Sequence, residues 1–449
     1  MNRTLIKNAF VVNEHRTEKT DVLIEGERIA RVGSIAAEPG MNCIDAEGLY
    51  LLPGVIDGQV HFRDPGLTHK ADLNSESRAA VAGGVTSFID MPNTRPNVLN
   101  MEILEAKYAL AATKSMANFG FFLGVNGENV DEVLATDTSG LLAVSDDGLY
   151  FSGKGNLLAD NLDVLEKLLA NCPSIIAIHA EKEAIVEKNE EAFRAKYGDN
   201  IPASAHPLIR SAENCYLASR DAIELAKKHN ARLHILHLTT ARETELFEQG
   251  PVTNKRITTE VSVHHLWFSD ADYERLGMRI KWNPAIKTAA DRDGLLQALI
   301  DDRIDLVTTD HAPHTTDEKD NSYFHSMSGA PMVQHTLHCM LEFYLDGKIT
   351  LEKIVEKMCH NPALLYRMTD RGFIREGGYA DLVLVNMQKG FTVSKENILY
   401  KCGWSPLEGT AFRTSVEKTF VNGQLAYNHG VFDEDVRGKA LEVTPQAVA

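Results

Sequence analysis

Short apolar runs rich in Val, Ile, Leu and Phe recur through the middle of the chain, at residues 54–62, 85–91, 119–125, 141–147, 175–181, 233–238, 257–264 and 304–310. Each has the length of a strand buried on both faces. The spans between them leave room for a helix and its connections, and two, 160–170 and 212–228, carry apolar residues at helical spacing. Strand and crossover helix repeated eight times is the pattern of a (β/α)8 barrel, so the expected class is α/β with a TIM-like barrel over residues 55–370. In that architecture functional side chains stand at the C-terminal strand ends. Polar residues collect there: Gln59-Val60-His61-Phe62-Arg63, His179-Ala180-Glu181, His237-Leu238-Thr239 and Asp310-His311-Ala312-Pro313-His314.

The two ends of the chain read differently. Residues 1–54 alternate apolar and polar in short runs broken by turn residues such as Glu25-Gly26-Glu27, and the texture returns at 380–385 and 418–424. A period of two without helical stretches predicts small antiparallel sheets. One small β-sandwich domain, assembled from 1–54 and 371–449, is the expectation.

With 449 residues and 44% hydrophobic content, the chain can bury a large core without staples. Its net charge of −17 argues against nucleic acid or an anionic membrane as partner. The first residues lack the apolar core of a signal peptide, and the six cysteines show no C-x-x-C spacing, so a cytoplasmic protein with reduced thiols is expected. The long connection 182–209, with its charged run 187–191, reads as a solvated helix and then a loop around Ser204-Ala205-His206-Pro207, or as a lid.

His61, His179, His237 and Asp310 offer the imidazole nitrogen and carboxylate oxygen that zinc and similar ions prefer. Asp310, touching both metal and water, would remove the water's proton and return it to a leaving nitrogen; its alternative role is a helix N-cap. Asp146-Asp147 on the fourth strand would bridge two metal ions, or simply make a turn with Gly148. Arg63, on the same strand face as His61, presents a planar fork to a carboxylate, and Asn93 adds an amide, although either could be an ordinary loop contact. The expected substrate is therefore a small anionic molecule.

His61-Phe62-Arg63-Asp64-Pro65-Gly66, Asp90-Met91-Pro92-Asn93-Thr94, Glu260 to His265, Asn283-Pro284 and Asp310 to His314 resemble the bacterial dihydroorotases of the amidohydrolase superfamily. The resemblance spans essentially the whole chain. It implies reversible cyclisation of N-carbamoyl-L-aspartate to dihydroorotate, a step in pyrimidine synthesis, with one or two Zn2+ ions per chain. His61 then belongs to the first metal, His179 and His237 to the second, and Asp310 is first-metal ligand and general acid/base. Arg63, Asn93 and His314 hold the substrate carboxylate, while Asn283 and the backbone near Ala330 contact the ring. Anchored on Gly155-Asn156, the bridging position falls on Asp147, with Asp146 as alternative. A homo-oligomer, and association with aspartate transcarbamoylase, are further expectations.

Three departures accompany the resemblance. Gln59 stands at a first-metal ligand position where the family has histidine, and its amide oxygen is a poorer zinc ligand than imidazole, which weakens that site. Lys287 replaces a usual arginine, and Val333-Gln334-His335 a usual Gly-x-Glu. Two other readings are carried forward: a different cyclic-amide hydrolase, such as an allantoinase or hydantoinase, and a catalytically silent partner of aspartate transcarbamoylase.

Overall fold

The computed structural model describes residues 3–146 and 157–445. The chain opens in strands β1 (Arg3–Asn13), β2 (Arg16–Glu25) and β3 (Arg28–Gly33), followed by β4 (Asn42–Asp45) and β5 (Tyr50–Pro53). The first three pair antiparallel, as the alternation predicts. β4 and β5, in contrast, both pair parallel to β1. The connection through residues 34–41 carries the chain back across the sheet, so both short strands run along the free edge of β1 in its own direction.

The apolar runs form β6 (Val55–Val60), β7 (Val85–Asp90), β8 (Asn118–Phe121), β9 (Leu123–Val125), β10 (Val144–Asp146), β11 (Ile176–Ile178), β12 (Leu233–Ile235), β13 (Ile257–Ser262) and β14 (Leu306–Thr308). β8 and β9 follow each other across Phe122, so nine elements correspond to eight predicted runs. All pair in parallel and in chain order, β6 to β8 in one set and β9 to β14 in another. The two ends of the series also meet. Val60 bridges His311 in parallel, and His61 N–H donates to the His311 carbonyl at 2.8 Å.

Alternate residues of these strands are buried on opposite sides. Val60, Phe88, Val144, Ile178, Ile235 and Val307 join the largest apolar cluster together with Leu104, Leu168 and Leu299 of the flanking helices. Ile56, Ile89, Ala177 and Leu306 join another around Tyr366. Helix Ala212–Lys228 coincides with its predicted span, and Leu162–Asn171 starts two residues late because the Asn161 side chain caps it by accepting from Val164 N–H.

Of the connection 182–209, only the first half matches expectation, as the mostly exposed helix Glu183–Tyr197. The second half is no free loop. His206 is fully buried, with Nδ1 2.9 Å from the Tyr323 hydroxyl and Nε2 2.6 Å from the Trp282 carbonyl.

Beyond the last helices come β15 (Leu382–Asn386), β16 (Phe391–Thr392), β17 (Ala411–Phe412), β18 (Ser415–Val421), β19 (Gln424–Asn428) and β20 (Val431–Phe432). β15 lies antiparallel between β5 and β18, which joins both ends of the chain in one nine-stranded sheet. Asn422 (φ 48°) and Gly423 (φ 74°) turn β18 into β19, the left-handed pair that a two-residue hairpin favours. The terminal residues return to the parallel strands, where Ala440 bridges Phe119. No helix among the described residues is long and apolar enough to cross a membrane.

Candidate active site

The strands stop a residue or more short of the chemistry. Arg63 (φ 66°), His237 (φ 35°) and Asp310 (φ 44°) all take left-handed backbone, which non-glycine residues rarely adopt and which breaks the ladder. Buried carboxylates hold two of these turns. Asp57 Oδ2 accepts from Thr309 Oγ1 (2.6 Å) and Oδ1 from Thr309 N–H (3.1 Å), pinning the residue before Asp310. Asp90 Oδ1 accepts from Phe62 N–H (2.9 Å), between His61 and Arg63, and Asp90 Oδ2 is 2.7 Å from Lys107 Nζ, both side chains being fully buried.

His61 Nε2 is 2.9 Å from Asp310 Oδ1, so residues 249 apart in sequence meet at the junction of β6 and β14. On its other side His61 Nδ1 meets the Asn93 amide, 2.8 Å from Nδ2 and 3.0 Å from Oδ1. A half-turn of that amide serves either tautomer of the imidazole. Asn93 thus stands against His61, where an anion-binding role had been expected.

His179 and His237 face each other with ring centroids 5.0 Å apart. Asp146 is spent on His179: Oδ1 is 2.6 Å from its Nδ1 and Oδ2 accepts its backbone N–H at 3.2 Å. That contact leaves Nε2 of His179 as the atom turned to a ligand. Asp146 is therefore an orienting group; Asp147 lies outside the described residues.

Burial pushes His61 down to about 3, helped by Arg63, and holds His237 well below its usual range, so both imidazoles are neutral. Burial also lowers His179, but Asp146 outweighs it and the net shift is upward. Burial drives Asp310 up to about 7 against the opposing His179 and Arg63.

Arg63 is buried, with Nε 3.3 Å from the Pro313 carbonyl and Nη2 3.3 Å from His314 Nε2. Two of the three predicted carboxylate binders, Arg63 and His314, are thus brought together. Asn283 turns an amide whose oxygen and nitrogen are both buried without a partner, as a residue waiting for a polar ligand would. The Ala330 carbonyl accepts from Ala312 N–H at 3.1 Å. This close approach needs Gly329, at φ 117°, because a Cβ there would lie 2.6 Å from Ala312.

Lys287 Nζ donates to the Ala285 carbonyl at 2.9 Å. Gln334 and His335 are taken up by the C-terminal segment: Gln334 bonds Leu399 N–H and the Asn397 carbonyl, and His335 Nδ1 is 3.0 Å from the Tyr400 hydroxyl.

Several supporting residues escaped sequence reasoning. Glu76 meets His311 Nε2 at 3.0 Å, while His311 Nδ1 accepts from Met332 and Val333 N–H, tying the strand-eight exit to the Ala330 loop. Lys70 Nζ donates to His314 Nδ1 at 3.0 Å. Glu181 pairs with Arg210 at 2.6 Å and not with the histidines. The sequence signal was confined to Asp57, a charge inside the apolar run that begins at Val55.

Among the described residues, no three His, Cys, Asp or Glu side chains stand as a preassembled metal cluster. The donor chemistry nonetheless fits a divalent ion. Two ligands of a tetrahedral zinc lie roughly 3.3 Å apart given bonds of about 2.0–2.1 Å, close to the 2.9 Å between His61 Nε2 and Asp310 Oδ1. If His61 gives Nε2 to a cation, its proton moves to Nδ1, where Asn93 Oδ1 accepts it. Gln59 is fully buried with both amide atoms unpartnered, an orphan that a cation or its water would satisfy.

Residues 50–426 match the sequence profile of the Amidohydrolase family. A dihydroorotase of Carboxydothermus hydrogenoformans is 31% identical over 94% of this chain and 97% of its own length. An allantoinase of Deinococcus radiodurans is 30% identical over 97% and 98%. In fold, the L-hydantoinase (dihydropyrimidinase) of Arthrobacter aurescens superposes with a TM-score of 0.90 at 24% identity, covering 98% of this chain and all of that one.

Proposed function

The chain belongs to the amidohydrolase family, and from that premise we propose that it is a dihydroorotase, interconverting N-carbamoyl-L-aspartate and (S)-dihydroorotate. At the coarser level it is a hydrolase of cyclic amides. We read the closed parallel series as a (β/α)8 barrel over 55–370, and the nine-stranded sheet as a β-sandwich domain built from 1–54 and 371–449.

The observation that carries the dihydroorotase reading is the buried Arg63 guanidinium 3.3 Å from His314 Nε2. A cationic fork beside an imidazole suits a ring carboxylate. Dihydroorotate carries one; allantoin and hydantoin do not. Arg63 and His314 would anchor that carboxylate, and the Asn283 amide would bond the ring's polar edge. The Asp310 carboxyl, raised to about 7, changes protonation state easily near neutrality. It would accept the proton of the attacking water and deliver it to the ring nitrogen as the amide bond opens. His61, Asp147, His179, His237 and Asp310, with Gln59 as a weak donor, would hold a zinc ion or pair, which when bound would supply Lewis acidity and acidify water.

A substrate comparison tests the reading. On zinc-replete protein, kcat/KM for dihydroorotate should exceed that for allantoin or hydantoin by at least ~100-fold, the size of a charged hydrogen bond gained or lost. Turnover of allantoin or hydantoin alone would overturn it in favour of the allantoinase or hydantoinase reading. No turnover of any of the three would favour the silent partner.

The orphaned Gln59 predicts uneven metal affinity. Protein purified without chelator should hold one ion tightly and a second weakly, and Gln59→His should tighten the weak one by ~10-fold or more, at least the effect of an outer-shell change. Two equally tight ions per chain in the unaltered protein, counted by elemental analysis during chelator titration, would refute the weakened site.

A further inference from the structure

We propose that His206 and His265 are positioning residues that grip the main chain on either side of Asn283, so that its amide meets the ring of a cyclic-amide substrate already fixed in place. The role of Asn283 toward the ring rests on the proposed function; the grip on its backbone does not.

His206 reaches this segment from a distant part of the chain, the short helix His206–Ile209 that ends the connection 182–209. Its Nε2 lies 2.6 Å from the Trp282 carbonyl, which can only accept, so Nε2 bears the hydrogen. Nδ1 is then the acceptor, and the Tyr323 hydroxyl donates to it at 2.9 Å. Burial, with Lys281 and Arg210 nearby, holds the ring well below its usual range, so it is neutral and carries one N–H. Each nitrogen thus meets a partner of the matching kind. His265 comes from the helix Val263–Trp267 that follows β13, and its Nε2 is 3.2 Å from the Pro284 carbonyl. That nitrogen is the donor for the same reason. The two gripped carbonyls flank Asn283 along the chain.

The hold extends one residue further each way. The Lys281 carbonyl accepts from Gly329 N–H at 2.8 Å and from Lys319 Nζ at 3.2 Å. The Ala285 carbonyl accepts from Thr239 Oγ1 at 2.7 Å as well as from Lys287. The Trp282 ring lies flat on His264, with centroids 4.0 Å apart and 6° between the planes. Carbonyls 281, 282, 284 and 285 are therefore fixed by groups from distant loops and helices, while both polar atoms of the Asn283 side chain stay buried and unpartnered. Such a backbone preorganises the amide, because the entropy of ordering it is lost on folding and not on binding. The second half of the connection 182–209 is then a strut for the ring site.

The test is a double-mutant cycle on full-length zinc-loaded protein, read by steady-state kinetics and by the 15N signals of the Asn283 side-chain amide, assigned by their loss in Asn283→Ala. His206→Asn, too short to reach the Trp282 carbonyl, should raise KM for dihydroorotate about fivefold and Asn283→Ala about tenfold, each within the range for one hydrogen bond, with kcat less affected. Because His206 acts through Asn283, the double variant should be no worse than Asn283→Ala alone. His206→Gln, whose amide nitrogen can stand near the place of Nε2, should restore most of KM. The Asn283 signals, single and sharp in the unaltered protein, should broaden or split in His206→Asn. His265→Asn repeats the cycle if His206→Asn melts early. KM effects that multiply in the double variant, or Asn283 signals unchanged in His206→Asn, overturn the grip. Turnover of allantoin or hydantoin in place of dihydroorotate would remove the dihydroorotase reading, and the same cycle on that substrate would still decide the grip. With no turnover of any of the three, the Asn283 signals alone decide it.

Discussion

Asp310→Asn is expected to lower kcat for dihydroorotate hydrolysis by about 10²–10⁴-fold, the usual contribution of a positioned acid or base, while the thermal transition stays in place. The substitution keeps an oxygen for the 2.9 Å contact with His61 Nε2, and the Thr309 to Asp57 bonds that shape the turn involve neither side chain. What it removes is a carboxyl that gains and loses a proton. Asp310 is buried and raised to about 7, so a neutral side chain meets less desolvation at this position than the carboxylate does. Metal content measured beside activity separates loss of the proton carrier from loss of a ligand. A variant that stays fully active would remove Asp310 from the proton-transfer role.

Lys107→Met is expected to cost about 3–5 kcal/mol of folding stability, the penalty for leaving a buried charge without its partner. Lys107 Nζ and Asp90 Oδ2 are 2.7 Å apart with both side chains about 1% exposed, and the ammonium also donates to the Met91 carbonyl at 3.1 Å. Burial lowers the lysine's affinity for its proton, and Asp90 opposes that. The stranded carboxylate would also loosen its hold on Phe62 N–H, the amide between His61 and Arg63, so KM should rise as stability falls. Asp90→Asn in the Lys107→Met background should recover most of the stability, since an amide can still accept from Phe62 without a charge. Urea unfolding of the three proteins measures both effects. A Lys107→Met midpoint equal to that of the unaltered chain would show that the pair does not support this corner of the site.

How much of this was legible beforehand depended on the range of the interaction. Helix Ala212–Lys228 was readable to the residue because its periodicity and its Ser211 cap are local. The gathering of His61, His179, His237 and Asp310 at one end was readable because each lies just past an apolar run, and parallel strands put those ends on one face. The parallel course of β4 and β5 was not, since their direction along β1 is set by the path of the connection through residues 34–41 and not by the local alternation. Nor could spacing tell that Asp146 orients His179, or that Asn93 stands on His61.

From the sequence alone came the order of strands and helices, the sides they bury and the kinds of group gathered at one end, because hydrophobic periodicity is written residue by residue. The tertiary structure alone decided which of those groups touch. Lys70 with His314, Glu76 with His311 and Lys107 with Asp90 are separated by 244, 235 and 17 residues. A hydrogen bond between them depends on a few tenths of an ångström across different strands and loops, and no local pattern encodes that distance.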